Sequence, residues 1–366
     1  MSSGLPDTSA RDSTSLEEIF RYFGEYETPK LDSAVYTAYC LGIAEDEDLK
    51  ALAALVMPSQ PAPNVLFASV KDLLLEDPER SGEARRLAKF YPSISGAAIP
   101  EESAFPAFRA FCLAHAGDLS PGLCEGRTQT CVVHRSAIML PAFARLPRVA
   151  QMNGRVALLE VGPSVGLNLR LDHYRYIYRS ERGTVAWGPE DATPVLVCEV
   201  RGSEEPPLPG KLEIVARHGL ELAPINLDDP KALRWLRALI WPEHQERARL
   251  MDEALEVAER VPAQIDAGDA TCDIEAAITA LPADAARVVF ATHAVYQIPR
   301  EGLLKMLAGV ARASAETPVD LVIMESTGKG DSRIDWFEFA EGERKSRRVL
   351  AHSDSHGRWI EWGREE

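Results

Sequence analysis

The stretch that decides the fold is LLEVGPSVGLNL, residues 158–169. An apolar run over 156–161 leads into a loop that contains Gly162, Ser164 and Gly166. Unbroken apolar runs of this length are typical of buried parallel strands. A glycine-containing loop after such a strand is where α/β sheets bind ligands, because glycine lets a ligand approach the backbone closely. The sequence therefore predicts an α/β fold with a ligand site in this loop.

The residues after the loop carry two conflicting patterns. Apolar residues alternate over 165–171, which by periodicity alone indicates a strand. A glycine loop after a parallel strand normally leads into a helix, whose free N–H groups attract an anionic group. We therefore expect a helix from about Gly166, with Asn168 near its start.

Two later apolar runs repeat the pattern of a buried strand. They are VVFATHAV (288–295) and VDLVIME (319–325), and residues 300–313 between them have helical periodicity. Strand, helix and strand at this spacing form a βαβ unit. We interpret residues 151–366 as an α/β domain of the Rossmann-like type with a mostly parallel sheet.

A long segment, 182–262, interrupts this domain. Short strands are expected near 195–200 and 213–217. Asp229 and Pro230 supply a helix cap and a proline at the first helical position, and a second helix is expected over 243–261. We interpret the segment as a largely helical insertion lying over the sheet.

The residues before 150 have helical periodicity. Thr14 and Glu17 have the spacing of a capping box, and Pro141 is expected to kink or end the last helix. We predict an all-helical domain over 14–150, preceded by a disordered tail over 1–13. Its expected helices cover 33–43, 48–57, 65–75, 83–91, 104–115 and 130–146.

The composition and charge of the chain favour some classes of function over others. The 366 residues include 56 acidic and 40 basic side chains, for a formal charge of −16. Binding nucleic acid requires a cationic surface, so a nucleic-acid partner is not expected and a small-molecule substrate is favoured. The first residues, MSSGLPDTSARDS, do not resemble a signal peptide, and no apolar stretch is long enough to span a membrane. We expect a cytoplasmic protein.

No metal site is expected. The six cysteines are too few for a disulfide scaffold in a chain of this length. Cys124, Cys131 and His134 lack a fourth ligand nearby. His352 and His356 are separated by Ser-Asp-Ser and followed by glycine, a pattern that favours a turn.

The glycine loop partly matches two known motifs. A dinucleotide loop of the GxGxxG type would need glycine where the chain has Ser164 and Leu167. GPSVG, residues 162–166, matches the GxSxG elbow of serine hydrolases with Ser164 as nucleophile. Pro163 and the helical residues upstream disfavour that elbow, because the nucleophile needs a strained turn after several strands.

The loop also resembles the first motif of class I S-adenosylmethionine-dependent methyltransferases. The shared order is acidic-x-Gly-x-(Gly/Ser)-x-Gly directly after an apolar strand. The resemblance implies that Glu160 and Gly162 lie near the methionine end of the cofactor. Ser164, Gly166 and Asn168 complete the predicted cofactor site, with Ser164 where glycine is usual.

Most of the chain resembles a bacterial family of unknown function, domain-of-unknown-function family 2332, with a methyltransferase-like core. The resemblance implies a fold and assigns no reaction. Relatives tend to carry Asn-Glu where this chain has Cys131-Val132. Gln129 and Arg135 nearby either face the site or serve helix packing, and we favour helix packing. The segments that carry it are PNVLFASVKDLLL (63–75), LAKFYPS (87–93), RTQT (127–130), LLEVGPSVGLNLRLDHYRYIY (158–178), LRWLRALIWPE (233–243), Gly268-Asp269 and HGRWIEW (356–362).

The same resemblance suggests the remaining site residues. Asp269, expected after the third strand, would contact the adenine amine, although it could equally cap a helix. The acid that would hold the ribose is not identified, and Glu181 is the nearest. His293 and Tyr296 would face the methyl acceptor, with His293 as a general base near its ordinary pKa. Glu325 is a further candidate base.

We therefore expect a protein that binds S-adenosylmethionine and, if catalysis is retained, methylates a small molecule. Two alternatives remain open. One is a non-catalytic binding protein with a methyltransferase-like fold, and the other is a serine hydrolase that uses Ser164.

Overall fold

The computed structural model describes residues 15–363, which form two compact units. The first unit consists of residues 15–130 and 227–249, and the second of residues 131–226 and 250–363. Within 15–130 the structure shows helices and turns and no strand.

The first helix begins at a capping box. Ser15 Oγ accepts a hydrogen bond from the N–H of Glu18 at 3.2 Å, and the Glu18 carboxylate accepts one from the N–H of Ser15 at 2.8 Å. This box lies one residue beyond the predicted pair of Thr14 and Glu17. Thr14 and the tail predicted for 1–13 lie outside the described residues.

Fifteen α-helices are present in residues 15–363, and shorter helices of other types span Phe23–Glu27, Val133–Arg135, Leu167–His173 and Val295–Gln297. The α-helices are α1 (Leu16–Tyr22), α2 (Thr28–Lys30), α3 (Ala34–Ala44), α4 (Glu47–Ala53), α5 (Ala62–Glu76), α6 (Gly82–Ala88), α7 (Pro92–Ser95), α8 (Phe105–Ala114), α9 (Ala116–Glu125), α10 (Ser136–Ala144), α11 (Pro147–Gln151), α12 (Pro230–Ala238), α13 (Gln245–Arg260), α14 (Ala270–Thr279) and α15 (Arg300–Ala313).

The core of the first unit is rich in aromatic rings. Tyr39 stacks on Phe108 with ring centroids 4.0 Å apart. Trp241 packs against Tyr36 with centroids 5.2 Å apart. Because burying a large aromatic side chain stabilises a fold by about 2–3 kcal/mol, Trp241 holds the segment 227–249 in this unit.

The same segment is held by an ion pair. Arg234 on α12 donates from Nε and Nη2 to the two carboxylate oxygens of Asp72 on α5, at 2.9 and 3.1 Å. This part of the predicted insertion 182–262 therefore belongs to the first unit. Its apolar side chains pack against helices of the first unit, and its charged side chains pair with them. Local sequence patterns do not predict such contacts.

The second unit is built on one sheet of eleven strands. Their order is β3-β2-β4-β11-β10-β9-β8-β7-β1-β5-β6, and six of the ten neighbouring pairs are parallel. The protein thus has the mixed α/β architecture with a mostly parallel sheet that the sequence predicts. The strands are β1 (Arg155–Val161), β2 (Arg175–Ser180), β3 (Gly183–Trp187), β4 (Val195–Arg201), β5 (Glu213–Glu221), β6 (Gln264–Ala267), β7 (Ala286–Thr292), β8 (Val319–Ser326), β9 (Ser332–Ala340), β10 (Glu343–Ser353) and β11 (Trp359–Trp362).

The five strands β6-β5-β1-β7-β8 are parallel throughout. The central strands β1, β7 and β8 are buried on both faces, which explains their continuous apolar sequences. α14 connects β6 to β7, and α15 connects β7 to β8. All five strands end at the same side of the sheet, which we call the carboxyl end.

Three predicted boundaries differ from the structure. Strands β3, β4 and β5 lie inside the predicted insertion 182–262, yet they belong to the sheet, and β5 pairs directly with β1. The helical domain predicted to reach 150 ends earlier, because 131–150 belongs to the second unit. The helix predicted from 130 begins at Ser136 and passes through Pro141 before it ends.

Candidate functional site

The loop after β1 turns three times through left-handed backbone. Gly162 has φ of 68°, Ser164 of 55° and Gly166 of 70°. The loop packs against the loop after β7, since a Cβ added to Gly162 would lie 2.7 Å from the Cβ of Ala294. Glycine at 162 is therefore required by both the backbone angle and the close approach, while Ser164 adopts a conformation that non-glycine residues rarely hold.

The chain then forms a 3₁₀-helix, Leu167–His173, and enters β2. The helix expected from about Gly166 is thus present as a 3₁₀-helix, with a kink at Arg170. The Arg170 side chain binds backbone carbonyl groups around this turn. Its Nη1 donates to the carbonyl oxygens of Val165 and Gly166 at 3.1 and 2.6 Å, and its Nε donates to that of Val261 at 2.9 Å. The Gly166 carbonyl oxygen also accepts a hydrogen bond from the N–H of Leu169 at 3.1 Å, which is the i to i+3 pairing of a 3₁₀-helix.

Glu160 is buried at the end of β1, with 1% of its surface exposed. Its Oε1 accepts a hydrogen bond from Nδ2 of Asn168 at 3.3 Å, and Oδ1 of Asn168 accepts one from Oγ of Ser136 at 2.9 Å. Among the described residues, Glu160 Oε2 has no hydrogen-bond partner. Burial raises the pKa of Glu160 to about 8 despite the bond from Asn168. The carboxyl is thus largely protonated at neutral pH.

Glu221, which sequence reasoning missed, ends the neighbouring strand β5. Its Oε2 accepts a hydrogen bond from the N–H of Ser164 at 2.9 Å. Its carbonyl oxygen accepts one from the N–H of Gly268 at 3.0 Å, so the loops after β1 and β6 are both tied to the end of β5. Glu181, the predicted ribose acid, lies instead in the turn between β2 and β3 at the far edge of the sheet.

Asp269 follows β6 and caps α14. Its Oδ1 accepts a hydrogen bond from the N–H of Thr271 at 2.8 Å, and its own N–H donates to Asp273 Oδ2 at 2.8 Å. The side chain is exposed. Three adjacent parallel strands therefore end in an acidic residue: Glu160 in β1, Glu221 in β5 and Asp269 after β6.

His293 follows β7 with φ of 54°. Its Nε2 lies 3.0 Å from Oγ of Ser332. Burial lowers the pKa of His293 to about 3, and the positive charge of Arg135 adds to the effect. The pKa of His293 is therefore well below the ordinary value that the sequence prediction assumed, because the ring is removed from water beside a cation.

Glu325, near the end of β8, titrates closer to neutrality. Burial raises its pKa to about 7, while hydrogen bonds from the N–H groups of Val295 and Tyr296 to Oε1, at 2.7 and 3.3 Å, oppose the rise. Its Oε2 lies 4.0 Å from Nδ1 of His293. The Tyr296 side chain is 67% exposed, so the structure brings its backbone, rather than its ring, to this carboxylate.

Arg135 lies buried at the carboxyl end of the sheet. Its Nη1 donates to the carbonyl oxygen of Thr292 at 3.1 Å and its Nε to that of Ser355 at 2.9 Å. Burial lowers its pKa to about 10, so the guanidinium remains charged at neutral pH. Of the two roles considered for Arg135, these contacts fit the one at the site, since it binds the carbonyl groups of Thr292 at the end of β7 and of Ser355 in the turn after β10. Gln129 belongs to the first unit.

The described residues contain no group of three His, Cys, Asp or Glu side chains placed to hold a metal ion. The cysteines are free thiols. Within 15–363, no helix is long and apolar enough to cross a membrane.

The fold and these contacts define an α/β protein with a polar, partly buried cluster where its parallel strands end. The chain belongs to the family described as "Uncharacterized protein conserved in bacteria (DUF2332)", whose model matches residues 17–362. Searches of curated proteins and of solved structures gave no match. The family membership indicated by the sequence motifs is confirmed, and the family description assigns no reaction.

Proposed function

We propose that the second unit binds S-adenosylmethionine at the carboxyl ends of β1, β5 and β6 and transfers its methyl group to a small molecule. The observation that carries the proposal is the acid at the end of each of these three adjacent strands, around a glycine loop. Counted along the chain, the five central parallel strands have the order 3-2-1-4-5. Sheets of this order bind nucleotide ligands beside the first strand, with an acid at the end of the second strand on the ribose.

The residues present fit such a ligand. Gly162 is exposed, so its backbone can be approached, whereas the following residues are packed around Arg170. Glu221 would hold the ribose hydroxyls and Asp269 the adenine amine. Glu160, whose Oε2 is buried without a described partner, would face the amino group of the methionine part.

S-adenosylmethionine would supply an electrophilic methyl group on its sulfonium. The protein's part is to position the acceptor and take its proton. Glu325 suits this role, because a base whose pKa of about 7 lies near the working pH combines a free carboxylate with adequate basicity. Its place at the end of β8 puts it on the β7 side of the glycine loop.

Calorimetric titration with S-adenosylmethionine and its demethylated product tests the proposal. Saturable binding is expected, and Glu221→Gln should weaken it about 10-fold or more, since hydrogen bonds to a charged group contribute about 1.5–3 kcal/mol. Glu213→Gln, at the opposite end of β5, is the matched control and should bind normally. Absence of binding of both ligands at millimolar concentration would refute the proposal. Binding without transfer to any acceptor tested would favour the non-catalytic alternative.

One observation favours a serine hydrolase as the second candidate. The φ of 55° at Ser164 is the type of strained backbone that a nucleophile elbow requires. The side chain is buried, with 4% exposed, and its N–H is bound by Glu221. A fluorophosphonate probe that labels the wild-type chain at Ser164, and fails to label Ser164→Ala, would establish this candidate.

A further inference from the structure

Four side chains beyond the proposed cofactor site lie in a series at the ends of β7, β8, β9 and β10, the first three joined by hydrogen bonds and the fourth 4.0 Å from the third. They are Ser355, Ser332, His293 and Glu325, which we call the serine relay. β9 is antiparallel to both β8 and β10, so Ser332 at its start lies level with the last residues of those strands, Ser326 and Ser353. The topology thus collects the relay from four separate segments of the chain.

The distances place the groups in the order of a proton relay. Ser355 Oγ lies 3.1 Å from Ser332 Oγ, and Ser332 Oγ lies 3.0 Å from Nε2 of His293. Nδ1 of His293 is 4.0 Å from Oε2 of Glu325. A hydroxyl, an imidazole and a carboxylate in this order are the parts of an activated nucleophile, here with a second serine interposed. Such contacts commonly tighten when substrate binds.

Ser355 is the hydroxyl of the relay that a substrate can reach. Ser332 has none of its surface exposed, whereas Ser355 is partly exposed. Ser355 sits in a tight turn closed by the N–H of Gly357 and the carbonyl oxygen of Asp354, at 3.1 Å. A Cβ on Gly357 would lie 2.4 Å from the His134 carbonyl oxygen, so the turn is seated directly on the chain beside Arg135.

The imidazole is also set for this role. His293 holds a left-handed backbone conformation with φ of 54°, the kind of strain found at functional sites. Burial, and then the charge of Arg135, lower the pKa of His293 to about 3, so the ring is neutral at pH 7 and one ring nitrogen is free to accept a hydrogen bond from Ser332. The same low pKa makes His293 a weak base, so it would hold the proton only until the leaving group takes it. Arg135, which donates to the Ser355 carbonyl oxygen, is a permanent cation beside the relay.

We propose that Ser355 is a nucleophile for acyl transfer from a small carboxylic ester or thioester, with Ser332 and His293 relaying its proton. Ser355 Oγ would attack the carbonyl carbon while its proton passes to Ser332 Oγ and the proton of Ser332 passes to Nε2 of His293. The bond to the leaving alcohol or thiol then breaks, and the proton returns through Ser332 to that leaving group. Water hydrolyses the resulting acyl ester of Ser355 by the same route. This activity requires no S-adenosylmethionine.

A fluorophosphonate probe applied to the full chain, followed by peptide mass spectrometry, tests this assignment. We expect an adduct on Ser355 in the wild type, no adduct in Ser355→Ala, and labelling slowed 10²–10⁴-fold in His293→Ala. Ser332→Ala should slow labelling at least 10-fold. Ser326→Ala is the matched control, because Ser326 pairs in register with Ser332 outside the relay.

No adduct on the wild type, or an adduct at Ser164 in place of Ser355, would overturn the assignment. Unchanged labelling in both Ser332→Ala and His293→Ala would do the same. If Ser355→Ala fails to fold, Ser355→Thr keeps a hydroxyl and should retain slow labelling. A pre-steady-state burst of p-nitrophenol from p-nitrophenyl acetate, with an acetyl group found on Ser355, is an independent expected result. Calorimetry with S-adenosylmethionine decides the proposed methyl transfer separately.

Discussion

Replacing Glu160 by glutamine should stabilise the protein increasingly as the pH rises. Below pH 4.5 the carboxyl is protonated in the folded and unfolded chains, so it adds no difference between them. Above that pH the unfolded chain ionises first, which favours unfolding, until the folded carboxyl also ionises near pH 8. One unit of pKa difference corresponds to about 1.4 kcal/mol, so the wild type should lose about 3 kcal/mol between pH 5 and pH 8 through this group. Glu160→Gln cannot ionise and should escape that loss.

Urea unfolding followed by circular dichroism at pH 5, 6, 7 and 8 measures the effect. The free energy of unfolding of Glu160→Gln minus that of the wild type should grow by about 3 kcal/mol across the series. Glu316→Gln is the matched control, because Glu316 is exposed in a turn of the same unit and should give a flat difference. A flat difference for Glu160→Gln, or a variant less stable than the wild type at pH 8, would show that the buried carboxyl does not resist ionisation.

Three further substitutions test other contacts. Gly162→Ala should lower the free energy of unfolding by about 1–3 kcal/mol, because it adds strain at φ of 68° and a 2.7 Å contact, whereas Gly328→Ala, with φ of 76° and open space, should cost less in the same urea series. Arg170→Met should destabilise by about 3 kcal/mol, because three backbone carbonyls lose a hydrogen bond from the guanidinium, with a lowered urea midpoint as the readout. Arg135→Gln should raise the pKa of Glu160 further, because the guanidinium charge opposes the rise that burial causes. The decrease in the free energy of unfolding with pH should then continue to a higher pH than in the wild type. An unmoved profile would contradict the coupling between them.

The parts of the fold that the sequence predicts are those decided by local pattern. β1, β7 and β8 contain the apolar runs that predict them, and the helix expected at 300–313 is α15 with the same bounds. Both follow from residues adjacent in the chain. The N-cap predicted at Asp229 is likewise present, with Oδ1 accepting from the N–H of Lys231 at 2.9 Å.

The parts that escape prediction depend on partners distant in sequence. β5, EIVARHGLE, mixes charged and apolar residues because it is only half-buried over most of its length. β5 matters for the site because it pairs with β1. Its own sequence pattern does not predict that pairing. β10 is similar, because its basic stretch RKSRR is exposed at one end of a long antiparallel strand.

The candidate site likewise contains residues that the sequence identifies and residues that it does not. The loop and Glu160 are identified by the motif, since a strand, an acid and glycines are contiguous there. Glu221 is recognisable only once β5 is known to lie beside β1. The low pKa of His293 is caused by burial and by Arg135, more than 150 residues away in the chain, so the residue type alone does not predict it.

Arg135 makes the two halves of this site electrostatically dependent on each other. Its charge opposes the raised pKa of Glu160 on one side and that of Glu325 on the other, and it also holds the turn that carries Ser355. A buried guanidinium needs compensating negative charge or hydrogen bonds, and near neutral pH both carboxyls hold protons for much of the time. A ligand that draws the proton from one carboxyl would therefore satisfy the cation and reduce its hold on the other. Binding beside the glycine loop and proton transfer beside β8 should thus influence each other, even if the two ligands never touch.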